Sequence, residues 1–153
     1  MTSIRGLWEM PKIDQYWLST ELYYTTEHTW ARIGDDGAVR VGVDDFASKT
    51  AGEILFVELP KVGELVEHMK SFGQMETAKW LGELHAPFTG MVIAVNQDAV
   101  TNPQLINDDP YGAGWLVEIK PTKTDEEIAN LLHGESAVEW LKREVDAKKK
   151  EET

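Results

Sequence analysis

The residues best placed to do chemistry lie in residues 73–80, Gly-Gln-Met-Glu-Thr-Ala-Lys-Trp. Lys79 follows Glu76 by three positions, in a short and mostly uncharged stretch between two runs that read as strands. Gly73 opens the stretch and Gly82 closes it, so the pattern predicts a β-hairpin that presents one amine at its tip. Most surface lysines only solvate a surface, so the significance of this one rests on its surroundings. Other chemistries are poorly provided for. The chain has no cysteine, hence no disulfide, thiolate metal site or cysteine nucleophile. Its four histidines (His28, His68, His85 and His133) show no metal-ligand spacing. His28 is expected to pack and hydrogen-bond on its strand, and His85 stands near the lysine hairpin. No Gly-rich phosphate loop and no G-x-S-x-G elbow occurs. Asp108-Asp109 falls in a turn, where capping or solvation suits it better than acid–base work. An independent enzyme is not expected.

The elements that must hold the lysine read as mainly β. Residues 21–33 are rich in Tyr, Thr, Trp and Ile and predict a strand or strand pair. The turn at residues 34–37 (Gly-Asp-Asp-Gly) leads to an alternating strand over 38–43. Asp44 or Asp45 caps a short helix that Gly52 ends. The nearly continuous apolar run 53–59 reads as a buried strand, 64–69 as a short one, and 91–95 and 115–119 as two more. Residues 96–100 begin a short helix or turn, and 102–110 read as a loop. Thr124, with Glu127 three residues later, predicts a capping box. Gly134 breaks that helix, a second one carries Trp140, Leu141 and Val145, and the charged tail 146–153 is expected to fray. A loose pattern, G-x-[IV]-x-x-V, occurs at Gly52-Ile54-Val57 and again at Gly90-Val92-Val95, on either side of the lysine hairpin.

At 153 residues the chain is long enough to bury one ordinary core. The expected divisions are an N-terminal arm over 1–20, a β domain over 21–121, and C-terminal helices with a charged tail over 122–153. The arm carries Trp8, Met10, Ile13, Tyr16 and Trp17 and is expected to lie across the main domain or contact a partner. A net charge of −12 disfavours nucleic acid and anionic membrane as partners. The opening residues are broken by Glu9, Pro11, Lys12 and Asp14 and fit neither a secretory signal nor a membrane span, which predicts a soluble cytoplasmic protein.

Residues 62–96 resemble the lipoyl-carrier segment of the glycine-cleavage H protein family. That family's E-[ST]-V-K pattern and following S-P-x-[ST]-G-type turn are similar to Glu76-Thr77-Ala78-Lys79 and Ala86-Pro87-Phe88-Thr89-Gly90. Its Y-[ST]-x-x-H-x-W strand looks like residues 24–30, its GEILFVELP-like segment like 52–60, and its long loop like 102–115. The resemblance covers roughly residues 21–145. It implies a lipoyl-domain-like barrel-sandwich hybrid (hammerhead), mainly β with edge helices and C-terminal helices. It also implies lipoate covalently attached to Lys79, with Glu76 and Thr77 as the attachment motif. The carrier so implied is non-catalytic: its swinging arm ferries intermediates between enzymes, and tethering raises their local concentration. A lipoate-attachment enzyme is then an obligatory partner. A biotinyl carrier fits less well, because Lys79 lies between Ala78 and Trp80 rather than between methionines.

The departures from the family pattern bear on cargo. The usual H-E-W is here His28-Thr29-Trp30, which loses a carboxylate that would stabilise an aminomethyl cation. Glu83 could still supply one. Trp80 stands where a small residue is usual, and His85 where Tyr or a neutral polar residue is more frequent. His28, Thr29, Trp80, Glu83 and His85 are therefore candidates for an arm or partner surface. These departures resemble the lipoate-binding proteins of sulfur-oxidising prokaryotes. The expectation leans to a carrier of sulfur intermediates for a heterodisulfide-reductase-like complex. The alternative is a glycine cleavage H protein serving glycine decarboxylase, aminomethyltransferase and dihydrolipoamide dehydrogenase. A further alternative is an unmodified protein-binding scaffold.

Overall fold

Alternating and β-branched stretches build three sheets in a computed structural model, which describes residues 10–152. Trp8 of the predicted arm lies outside the described residues. The arm's remainder forms a small hairpin, β1 (Lys12–Ile13) with β2 (Tyr16–Trp17). The largest sheet contains β3 (Tyr23–Tyr24), β4 (Thr29–Ile33), β5 (Val39–Val43), β7 (Leu65–Val66), β10 (Gly90–Val95), β11 (Val117–Pro121) and β12 (Leu132–His133). Its strand order is β12-β3-β4-β5-β11-β10-β7. The third sheet orders β6 (Ile54–Glu58), β8 (Ser71–Thr77) and β9 (Leu81–His85) as β6-β8-β9, all antiparallel.

Several local signals act as their chemistry demands. Gly37 takes φ 86° in the β4–β5 turn, and Asp36 accepts a hydrogen bond there from the Ala38 amide at 3.0 Å. Asp44 caps α1 (Asp45–Ala51) by accepting from the Ala47 amide at 2.8 Å, and Gly52 ends the helix at φ 85°. Helix α2 (Gln97–Thr101) follows Asn96, whose side-chain amide donates to the Ala113 and Trp115 carbonyls.

Other segments differ from their sequence reading. The apolar run at 53–59 becomes an edge strand, and only Ile54 and Val57 of β6 face inward, while Leu55 and Phe56 are exposed. The 102–110 loop contains a short helix, α3 (Gln104–Asp108). The expected capping box does not form. Lys123, not Thr124, precedes α4 (Thr124–Glu127), and no side chain caps it. Buried Glu127 instead accepts from the Thr89 amide at 2.8 Å and the Thr89 hydroxyl at 2.5 Å, so a long-range partner takes the carboxylate from the local one. A 3₁₀ turn (Ile128–Asn130) leads to β12. The charged tail continues α5 (Glu135–Glu152) through Glu152, with Lys149 reaching Asp14 of the arm at 3.2 Å.

Two apolar clusters result. The main one, including Val39, Val41, Ile54, Met75, Phe88, Val92 and Ile119, lies between the large sheet and the β6-β8-β9 sheet. The repeated pattern contributes to it from both sheets, through Ile54 on β6 and Val92 on β10. The second cluster joins Ile13 and Tyr16 of the arm to Trp30, Phe46 and the α5 residues Trp140, Leu141 and Val145. Burying each such side chain contributes roughly 1.5–3 kcal/mol.

Gly73 shows how tightly the small sheet packs. A Cβ there would lie 2.2 Å from the Glu58 carbonyl oxygen of the neighbouring strand. Gly73→Ala is therefore expected to cost about 1–3 kcal/mol, because backbone must shift. Its thermal midpoint by circular dichroism should fall by several degrees, whereas Gly63→Ala, with nothing within 4 Å, should show only the smaller strain of its φ of 96°.

Candidate functional site

Strands β8 and β9 form a hairpin whose tip is Ala78-Lys79. The Thr77 amide donates to the Trp80 carbonyl at 2.8 Å and closes the turn. The Lys79 amide donates to the Thr77 hydroxyl at 3.4 Å. Neither tip residue has positive φ, so the turn does not require glycine. Gly73 and Gly82 do not bracket it, contrary to the sequence reading, but lie inside the strands. Their task is close approach: Gly73 meets the Glu58 carbonyl, and Gly82 lies beneath the Trp80 indole, where a Cβ would fall 1.8 Å from the ring.

Lys79 is exposed, and among the described residues no ion pair or side-chain hydrogen bond engages its Nζ. Glu76 and Thr77, the other residues of the expected motif, divide between the faces. Thr77 is buried and knits the turn, while Glu76 is exposed on the outer face. Glu83 lies on that same outer face, paired with Gln74. Trp80, 48% exposed, folds over the end of the hairpin on the opposite side. The structure thus gathers Glu76, Thr77, Lys79, Trp80 and Glu83 on one hairpin.

The remaining candidates stand at the base of the hairpin or away from it. Thr29 is fully buried. Its hydroxyl donates to the His85 carbonyl at 2.7 Å and contacts the Thr25 hydroxyl at 2.7 Å, fastening β4 to the foot of β9. His85 Nδ1 is buried and has no hydrogen-bond partner among the described residues. His28, at φ 69° in the turn before β4, contacts Phe46 and Trp140 of the second cluster. Its Nδ1 lies 2.7 Å from Asp44 and its Nε2 2.7 Å from Glu144 of α5, and the ring centroid lies 5.0 Å from that of Phe46 and 4.6 Å from that of Trp140. Two carboxylates on two ring nitrogens require both nitrogens to donate, which is the imidazolium form. Burial alone would lower the His28 pKa, but the Asp44 and Glu144 carboxylates outweigh it and raise the value to about 9. His28 and Thr29 are therefore interior struts and not an outward surface.

Sequence reasoning did not foresee the outer face of this sheet. Phe56 is 65% exposed and Leu81 59%, on either side of Glu76. The aromatic residue in an otherwise aliphatic run was the only local sign.

The glycine cleavage H-protein family model matches residues 22–144. The chain belongs to this family. A probable glycine cleavage system H protein of Pyrococcus abyssi is 42% identical over 133 residues, covering 87% of this chain and 98% of the relative. A glycine cleavage system H protein of Mycolicibacterium vanbaalenii is 49% identical over 114 residues, covering 74% of this chain and 86% of the relative. The crystal structure of a glycine cleavage system H protein from Mycobacterium marinum superposes with a TM-score of 0.74 at 37% identity, covering 83% of this chain and 98% of that one. The fold is thus the lipoyl-domain-like barrel-sandwich that the sequence led us to expect. H proteins are non-catalytic subunits that carry lipoate covalently on a lysine. An exposed lysine amine at a closed hairpin tip, its Nζ unengaged among the described residues, fits that group. None of the described helices is long and apolar enough to cross a membrane.

Proposed function

We propose that Lys79 is the lipoyl attachment residue and that the protein acts in the cytoplasm as the H protein of a glycine cleavage system. It carries an aminomethyl group from glycine decarboxylase to aminomethyltransferase, and dihydrolipoamide dehydrogenase reoxidises the dithiol arm that remains. The observation carrying this reading is the lone lysine at the closed β8–β9 tip, three residues after exposed Glu76, in a chain matched to H proteins over residues 22–144. The relatives reported above support glycine cleavage and lend nothing to the sulfur preference drawn from sequence.

When bound, lipoate supplies a dithiolane that opens on reduction to thiols able to hold cargo. The protein's own part is positional. Lys79 anchors the arm by an amide, which removes the lysine charge. Thr77 and the Thr77–Trp80 hydrogen bond fix the direction in which Lys79 leaves the sheet. Glu83, exposed on β9, provides a carboxylate for a cationic cargo. The decisive assay reconstitutes glycine cleavage with the lipoylated protein; turnover dependent on it is expected, and its absence with a fully lipoylated sample would refute this reading.

One observation favours a second reading, a sulfur carrier. Thr29 replaces the carboxylate of H-E-W, and its hydroxyl is already committed to His85. That reading predicts a stable sulfur adduct on the reduced arm when its pathway enzymes are present. A clean dihydrolipoyl arm under those conditions would count against it.

A further inference from the structure

Surface hydrophobic residues scattered singly need no explanation. Those beside Lys79 are not scattered. Paired residues of an antiparallel sheet share a face, and the register places Phe56, Glu76 and Leu81 in one row across β6, β8 and β9. The next row on the same face is Glu58, Gln74 and Glu83. A bulge between Ile54 and Phe56 leaves Leu55 also exposed at the edge. The outer face is thus an apolar shoulder, Phe56 and Leu81, set within three exposed carboxylates and two residues from the tip lysine.

We propose that this face is the docking surface for the enzyme that acylates Lys79, through an apolar socket rimmed by lysine or arginine. This deepens the carrier reading and rests on it. The choice of occupant follows from where each reaction occurs. Acylation takes place at Lys79 Nζ itself: the neutral amine attacks the acyl carbon of an activated lipoyl donor, such as a mixed anhydride with a nucleotide. The C–N bond forms, the acyl–oxygen bond breaks, the leaving group departs with the electron pair, and a proton leaves Nζ. An enzyme doing this must enclose the hairpin tip and therefore meets the shoulder beside it. Enzymes that react with the distal end of the finished arm need not enclose the tip. The acidic rim and the overall charge of −12 complement a basic partner surface.

The test measures initial rates of lipoyl addition by intact mass, using an attachment enzyme active on a known carrier. The substrates are the full chain and the Phe56→Ser, Leu81→Ser and double variants. Both residues are exposed, so the thermal midpoints should stay near wild type. The double variant is expected to lose at least about tenfold in kcat/KM, mainly through KM, as a central apolar contact would. The same variants, driven to complete lipoylation by excess enzyme, should support carrier turnover near wild type. Unchanged attachment kinetics would overturn the proposal. An equal loss in attachment and in turnover of pre-lipoylated protein would overturn the assignment to the attachment enzyme in favour of a face shared by all partners. Unchanged attachment together with self-association abolished by the substitutions would overturn it in favour of a second copy of the chain. Failure to modify the wild type would remove the carrier reading itself, a result distinct from a difference between variants.

Discussion

Lys79→Arg should gain no lipoyl mass and support no carrier turnover, while folding as the wild type does. The guanidinium stays protonated and cannot serve as the acyl acceptor, yet it keeps the length and charge of the tip side chain. Because Lys79 is exposed and its Nζ is unengaged among the described residues, the change in stability should stay within about 0.5 kcal/mol. Intact mass after exposure to the attachment enzyme, denaturant midpoint and reconstituted turnover together check the point. Turnover retained by the variant would mean that the protein acts as an unmodified scaffold.

His28→Asn should lower stability more than any surface change. Asparagine tolerates the positive φ that residue 28 adopts, so backbone strain is held nearly constant and the loss reports the side chain. Removing the imidazolium leaves Asp44, 1% exposed, without its charge partner, and cuts the tie to Glu144 on α5. Breaking a buried pair in this way costs about 3 kcal/mol, which lowers the thermal midpoint by roughly 6–12 °C in a chain of this size. The pH dependence follows from the raised pKa. The folded value of about 9 lies above the unfolded one near 6.5, so the stabilisation is fully present below pH 6.5. It is lost as pH rises through 9, and the difference amounts to about 3 kcal/mol. Urea midpoints for wild type should therefore fall between pH 6 and pH 9.5, while His28→Asn should be much flatter over that range. Parallel profiles for the two proteins would show that His28 is not the titrating group.

The tip lysine was legible because local signals agree: two runs that read as strands, a short connection and one charge between them. The two glycines beside it misled because strand glycines here answer a neighbour, the Glu58 carbonyl or the Trp80 ring. The contact between Gly73 and Glu58 lies beyond any local pattern. The run at 53–59 was read as buried because hydrophobicity does not say which face of a strand meets water; β6 is an edge strand and exposes Phe56. Glu127 matched a capping box in spacing, but Thr89, 38 residues away, supplied two donors and took it. The tail looked frayed because it is nearly all charged, yet Lys148 pairs with Glu152 along α5 and Lys149 reaches Asp14. Packing and hydrogen bonding were expected of His28, but its partners were not legible because they lie 16 and 116 residues away.

The most direct test of the carrier account is peptide mapping by mass spectrometry of the wild-type chain after expression with lipoate and an attachment enzyme. The account predicts a single lipoyl adduct, confined to the peptide containing Lys79. An unmodified Lys79, or an adduct on another lysine, with the enzyme shown to act on a known carrier, would contradict it.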